Sequence, residues 1–151
     1  DEKAALALEH GCTHTINYKT ENIVERVKEI TNGAGVPVVY DSVGKDTFHD
    51  SLDCLAPLGM MVSFGNASGP VPPFSLSELA SRGSLFVTRP TLFSYARTRD
   101  RLERMAAELF EMLETRKVAP TISAHYALSD VTSAHIDLER RATTGSILLN
   151  P

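Results

Sequence analysis

Cysteine is scarce in this sequence. Cys12 and Cys54 are the only two in 151 residues, and they form no CxxC pair. Two unpaired thiols in such a chain point to a reducing compartment, the cytosol. The five histidines (His10, His14, His49, His125, His135) share no metal-ligand spacing with either cysteine, so no metal site is expected. No apolar run approaches the length needed to cross a bilayer, and no signal-peptide pattern is legible. Positive charge is not in excess either. Fifteen Lys and Arg against nineteen Asp and Glu leave a formal net charge of -4, which argues against a nucleic-acid surface built on bulk charge. The one short basic cluster, Arg97, Arg99, Arg101 and Arg104, reads as a solvated helix face.

Several catalytic and nucleotide-binding signatures are also missing. The chain holds no GxGxxG, GxxxxGK[ST], GxSxG or HExxH. The nearest approach to a phosphate loop is GNASG at Gly65 to Gly69, which follows the wrong strand and does not open directly into a helix. Carboxylate pairs such as Glu21 and Glu25 sit at helical spacing and read as a solvated face.

What is present is an alternation of short apolar strands with amphipathic helices. VVYDSVG (Val38 to Gly44) and MMVSFGNASG (Met60 to Gly69) are β-branched, apolar runs that end in small or polar residues. Buried parallel strands look like this where their carboxyl ends open onto a ligand crevice. The fold class expected is α/β, a Rossmann-like parallel sheet with flanking helices. In order, the pattern predicts a helix over residues 1–10, a strand THTINY over Thr13 to Tyr18, and a helix capped by Thr20 with Ile23, Val24, Val27 and Ile30 on one face. Val38 to Val43 follows as the central strand. A helix capped by Asp46 then uses Phe48, Leu52 and Leu55, and Pro57 and Gly59 end it. Met60 to Phe64 is the next strand. A loop runs from Gly65 to Pro73, and a turn or two of helix covers Ser75 to Leu79. Ser84 to Thr88 is a strand stopped by Arg89 and Pro90. A long helix spans Thr98 to Arg116, with Leu102, Met105, Ala106, Leu109 and Leu113 in one stripe. Ile122 to Leu128 is a strand, Ser129 caps a last helix, and Ser146 to Leu149 closes as a strand. The sequence begins inside a helical pattern without an initiator methionine, so it reads as a piece of a longer protein whose sheet is incomplete at its N-terminus.

The segments NYKTENIVERVKEIT, VVYDSVGKDTF, SLDCL, MVSFGNASG, GSLFVTRP and ERRATTGSILLNP closely resemble the zinc-independent, NADPH-dependent quinone oxidoreductases. These form the zeta-crystallin-like branch of the medium-chain dehydrogenase/reductase superfamily. The resemblance covers essentially the whole chain. It implies that residues 1–118 are a partial dinucleotide-binding domain. Residues 119–151 would be a C-terminal helix-strand segment returning to a GroES-like catalytic domain. The AxxGVG-type loop, the first Rossmann strand and most of the catalytic domain would lie upstream.

The same resemblance implies a set of NADPH contacts. Lys3 and Tyr18 match the pair that holds the adenosine 2′-phosphate, an ammonium and a phenol suited to a dianion and an adenine ring. Taken alone they read as a surface lysine and a packed strand end. Ser42 and Val43 stand where the adenine side passes, or are simple strand-end packing. Phe64, Gly65 and Asn66 resemble the lining of the nicotinamide ribose, with a tight turn as the alternative. Val87, Thr88 and Arg89 resemble the strand end that meets the carboxamide, and Arg89 would reach a phosphate or a subunit neighbour. Arg141 matches an arginine near the cofactor; without that match it is an exposed helix charge.

No residue among these is expected to do acid-base work, because the cofactor carries the hydride chemistry. The function implied is NADPH-dependent reduction of a small quinone, by a homodimer formed through the edge strand near Ser84 to Thr88. The chain alone would be inactive. Two rivals stay open: an enoyl or alkenal reductase of the same superfamily, and a non-catalytic nucleotide-binding or interaction module.

Overall fold

The structure is a computed structural model, and it describes residues 2–140 and 143–151. It divides into two compact units, residues 1–95 and 96–151.

The first unit is built on a three-stranded parallel sheet, β1 (Val36–Asp41), β2 (Leu55–Ser63) and β3 (Phe86–Thr88), in the order β1-β2-β3. Val38, Met60 and Phe86 lie side by side across it, as do Tyr40, Val62 and Thr88. Because all three strands run the same way, their carboxyl ends emerge together. Period-two alternation sends Val39, Met61 and Val87 into the core, while Val38, Tyr40, Met60 and Phe86 stay exposed on the other face. Helix α3 (Phe48–Asp53) fills the covered side. Phe48 and Leu52, four residues apart and so on one helical face, are buried against Leu55, Met61 and Leu85. Burying either side chain stabilises the unit by about 1.5–3 kcal/mol. Phe74, from the loop after β2, packs its ring on Phe48 with centroids 4.7 Å apart.

Helix α1 (Glu2–Glu9) precedes an extended stretch, and α2 (Ile23–Ile30) then half-buries Ile23, Val24, Val27 and Ile30 as the spacing requires. Its cap is Asn22, not Thr20. The Asn22 side chain accepts the Glu25 amide at 3.1 Å, while the Thr20 hydroxyl donates to the Asn17 carbonyl. Residues 13–18, expected to form a strand, belong to no ladder among the described residues. A strand exists only where a neighbour exchanges backbone hydrogen bonds with it. For the same reason β1, expected to be central, is an edge of the described sheet, and β2 is its centre. Strand β2 also starts five residues earlier than Pro57 and Gly59 suggest. The chain passes through them in an irregularity, with Val36 opposite Leu55 but Val38 already opposite Met60. Leu58, within it, takes a left-handed φ of 61° and stays 68% exposed. α3 is not capped by Asp46: Thr47 occupies the cap position, with its hydroxyl turned to Asp41 instead of the helix amides. A short helix α4 (Ser77–Ser81) precedes β3, and α5 (Leu92–Tyr95), not anticipated from the sequence, follows it.

The second unit holds α6 (Arg99–Glu114), capped by the Thr98 hydroxyl on the Arg101 amide. After it come β4 (Ile122–Ala127), a 3-10 turn at Leu128–Asp130, α7 (Val131–Glu139) and β5 (Ser146–Asn150). Ser129 falls within that 3-10 turn, so Asp130 takes the cap position of α7, without a side-chain bond. β4 and β5 pair in parallel, and Ala134 of α7 is buried. The Tyr126 hydroxyl of β4 donates to Asp137 of α7 at 2.7 Å.

Candidate functional site

The carboxyl ends of β1, β2 and β3 form one rim, where a parallel α/β sheet binds its ligands. The chain leaves β1 through Ser42, Val43 and Gly44, leaves β2 through Phe64 to Gly69, and leaves β3 at Arg89. Six of the expected contact residues therefore share this rim: Ser42, Val43, Phe64, Gly65, Asn66 and Thr88. Ser42, Phe64, Asn66 and Thr88 are exposed, and Val43 is half-buried. Val87 sits one residue below, its side chain packed on the core.

Beneath the rim lies a residue that is not among the expected contacts. Asp41 closes β1 with its side chain 4% exposed. One carboxylate oxygen accepts the amides of Val43 at 2.8 Å and Gly44 at 2.9 Å. The other accepts the hydroxyls of Thr47 and Ser51, each at 2.7 Å. Burial pushes the carboxyl up, but the bonds from Ser51, Thr47, Gly44 and Val43 together outweigh it and hold it below its ordinary range. The pattern was available in the sequence. A lone carboxylate ends an apolar strand, small residues follow, and hydroxyls lie six and ten residues on, one helical turn apart.

A second set of bonds stitches the two loops together. Ser42 O accepts the Ala67 amide at 3.2 Å, and Val43 O accepts both the Ser68 amide and the Ser68 hydroxyl at 2.9 Å. The Lys45 amide donates to Gly69 O at 3.1 Å, and the Asp46 amide to the Ser68 hydroxyl at 3.0 Å. A Cβ on Gly44 would sit 2.6 Å from Gly69 O, and Gly44 takes φ of 92°. Gly65, at the other end of the loop, meets the Ser42 backbone. The small residues of GNASG thus bring two backbones into contact. Arg89 straps the end of β2, its Nη1 donating to Ser63 O at 2.9 Å and Gly65 O at 3.2 Å.

Beside the end of β1 lies an open pocket of about 170 Å³, lined by Ile23, Tyr40, Asp41, Ser42, Val43, Thr47, Asp50 and Ser51. Lys3 lies on α1 and Tyr18 in the turn that follows the extended stretch, both exposed, on segments outside the ladder. Arg141 lies outside the described residues.

Cys54 is buried, and burial, then Asp50 and Asp53, push its thiol up; Cys12 is exposed. Among the described residues no group of three or more His, Cys, Asp or Glu could hold a metal ion. No described helix is long and apolar enough to cross a membrane.

Comparison with known proteins agrees with this architecture. The quinone oxidoreductase of Pseudomonas aeruginosa is 53% identical over 150 residues, which cover 99% of this chain and 46% of that protein. The crystal structure of Escherichia coli quinone oxidoreductase complexed with NADPH superposes with a TM-score of 0.95 at 49% identity, over 99% of this chain and 47% of that one. A 2-haloacrylate reductase from a Burkholderia species is 44% identical over all of this chain and 46% of that protein, and a 2-haloacrylate reductase crystal structure superposes with a TM-score of 0.88. The chain therefore spans just under half the length of the relatives it matches. The family model described as zinc-binding dehydrogenase matches residues 10–149, although the described residues do not fit a zinc site. On that match, and on a parallel sheet shared with quinone oxidoreductases, the chain belongs to the zinc-binding dehydrogenase family.

Proposed function

We propose that this chain is the cofactor-holding part of an NADPH-dependent quinone oxidoreductase. The observation that carries the reading is the rim, where Ser42, Val43, Phe64, Gly65, Asn66 and Thr88 come together at the carboxyl ends of adjacent parallel strands. The identity of 49% to a protein crystallised with NADPH supports it.

The residues present fit such a cofactor. The exposed hydroxyl of Ser42 and the half-buried Val43 face the adenosine side, with the pocket at the end of β1 as its opening. Phe64 and Asn66 line the nicotinamide ribose, and the backbone of Val87 and Thr88 meets the carboxamide. Arg89 holds the carbonyls of Ser63 and Gly65, fixing the loop against which that end rests. Lys3 and Tyr18 take the 2′-phosphate, and Arg141, matched on sequence alone, is the remaining cofactor contact. NADPH supplies the hydride; the protein's task is to orient it against a quinone.

In this reading residues 1–118 belong to the dinucleotide-binding domain and 119–151 return to the catalytic domain. The protein works without zinc in the cytoplasm, where free Cys12 and Cys54 are at home. It pairs as a homodimer through β3, whose exposed Phe86 and open edge call for cover.

The test is Lys3→Ala in the complete protein. Losing one ammonium-phosphate contact lowers the preference for NADPH over NADH about tenfold. An unchanged preference removes the 2′-phosphate assignment. The 44% identical haloacrylate reductase favours a second reading, reduction of an activated C=C bond. Steady-state rates with 1,4-benzoquinone against 2-chloroacrylate decide between them.

A further inference from the structure

We infer that Asp41 is the positioning residue of the cofactor rim. It fixes the loop after β1 directly, and through that loop it fixes the loop after β2, which it touches only with its backbone. The inference rests on the NADPH reading above for its functional consequence, but the coupling of the two loops stands on geometry alone.

The Asp41 carboxylate holds the Val43 and Gly44 amides with one oxygen and the Thr47 and Ser51 hydroxyls with the other. The first pair sets the turn at residues 42–44, and the second ties that turn to α3, which is anchored in the core through Phe48 and Leu52. The carbonyls of Ser42 and Val43 are thereby aimed. They are the acceptors for the Ala67 and Ser68 amides. Phe64 joins the same network, its amide donating to Asp41 O at 2.8 Å. Thus Ser42 and Val43 on one loop, and Phe64 to Asn66 on the other, take their positions from one buried side chain. A carboxylate suits the task because it accepts four bonds and donates none.

Asp41 is not a catalytic residue: it lies beneath the rim, 4% exposed, and acts through the residues above it.

The experiment measures amide hydrogen exchange in the complete, cofactor-free protein, then NADPH affinity by titration, for wild type, Asp41→Ala, Asp41→Asn and Ser51→Ala. In Asp41→Ala the amides of Val43 and Gly44 lose their acceptor, so their faster exchange decides nothing. The decisive amides are Ala67 and Ser68, which Asp41 does not contact. Their exchange should rise about tenfold or more, while Val39 and Met61 in the strands hold within about threefold. NADPH binding should weaken about tenfold, with kcat at saturating NADPH falling less than KM rises. Asp41→Asn keeps an acceptor for the two amides and should restore affinity to within about threefold of wild type. If Asp41→Ala does not fold, Ser51→Ala carries the test. It removes one donor from the carboxylate and should speed exchange at Ala67 and Ser68 about threefold or more.

Unchanged exchange at Ala67 and Ser68 in a folded Asp41→Ala or in Ser51→Ala overturns the inference. So does an Asp41→Ala protein that binds NADPH as wild type does, or an Asp41→Asn protein no better than Asp41→Ala. If the wild type does not bind NADPH while the exchange coupling is seen, the functional reading falls and the coupling stands.

Discussion

Gly65 lies directly on the backbone of Ser42. A Cβ at position 65 would come within 2.7 Å of the Ser42 Cα and closer still to its carbonyl oxygen. Because that neighbour is backbone, it cannot swing aside as a side chain would. Gly65→Ala must separate the ends of β1 and β2, at a cost of about 1–3 kcal/mol, and it disturbs Ser42 and Asn66 together. Thermal melting should show the loss of stability, and an NADPH titration of the same variant should show weakened binding. Wild-type melting and affinity would mean that the two strand ends separate freely.

Asp41 also makes stability depend on pH with a definite sign. Its folded pKa lies below the ordinary 3.8, so the carboxylate is favoured by the native state. The contribution is complete above the unfolded value and is lost as pH falls through the folded one. Urea denaturation of wild type and Asp41→Asn should show a gap of about 1–3 kcal/mol that is constant from neutral pH down to about pH 5. Below the ordinary aspartate value the gap should narrow. A gap that widens on acidification would mean that the carboxyl is held neutral in the fold.

Leu58 is the reverse case, a large side chain in a conformation that suits a small one. Its φ of 61° is left-handed, and its amide is held there by Gly83 O at 2.8 Å. The left-handed region costs an ordinary residue about 1–2 kcal/mol, and glycine relieves that while adding about 0.5–1 kcal/mol of unfolded-chain entropy. Leu58→Gly should therefore leave stability within about 1 kcal/mol of wild type or raise it, read from the urea midpoint. A loss of 2 kcal/mol or more would show that the largely exposed side chain packs better than its exposure suggests.

How much of this was legible in the sequence follows from what each feature depends on. The face of α2 and the extent of α6 were readable, because apolar spacing and a cap such as Thr98 are local. β2 begins earlier than the sequence suggests because Pro57 and Gly59 look like breakers, and only the partner strand reveals that the chain runs through them. Thr13 to Tyr18 reads as a strand from its sequence, but pairing is a property of two segments, and one segment cannot announce it. At the site, strand ends rich in small and polar residues mark where the rim lies. Which groups hold it together shows in the sequence only as a spacing. Asp41 meets Thr47 and Ser51 only after the chain has turned into α3, and the contact of Gly65 with Ser42 spans 23 residues.

The stitching at Ser42, Val43, Ala67 and Ser68 has an evolutionary consequence. One residue added to the loop after β2 would shift the Ala67 and Ser68 amides out of step with their two acceptors, and one removed would do the same. Length changes in either crossing are therefore tolerable only when the other changes with it. Change at this rim is steered toward side-chain replacement at exposed positions such as Phe64, Asn66 and Thr88, where the backbone spacing is left alone.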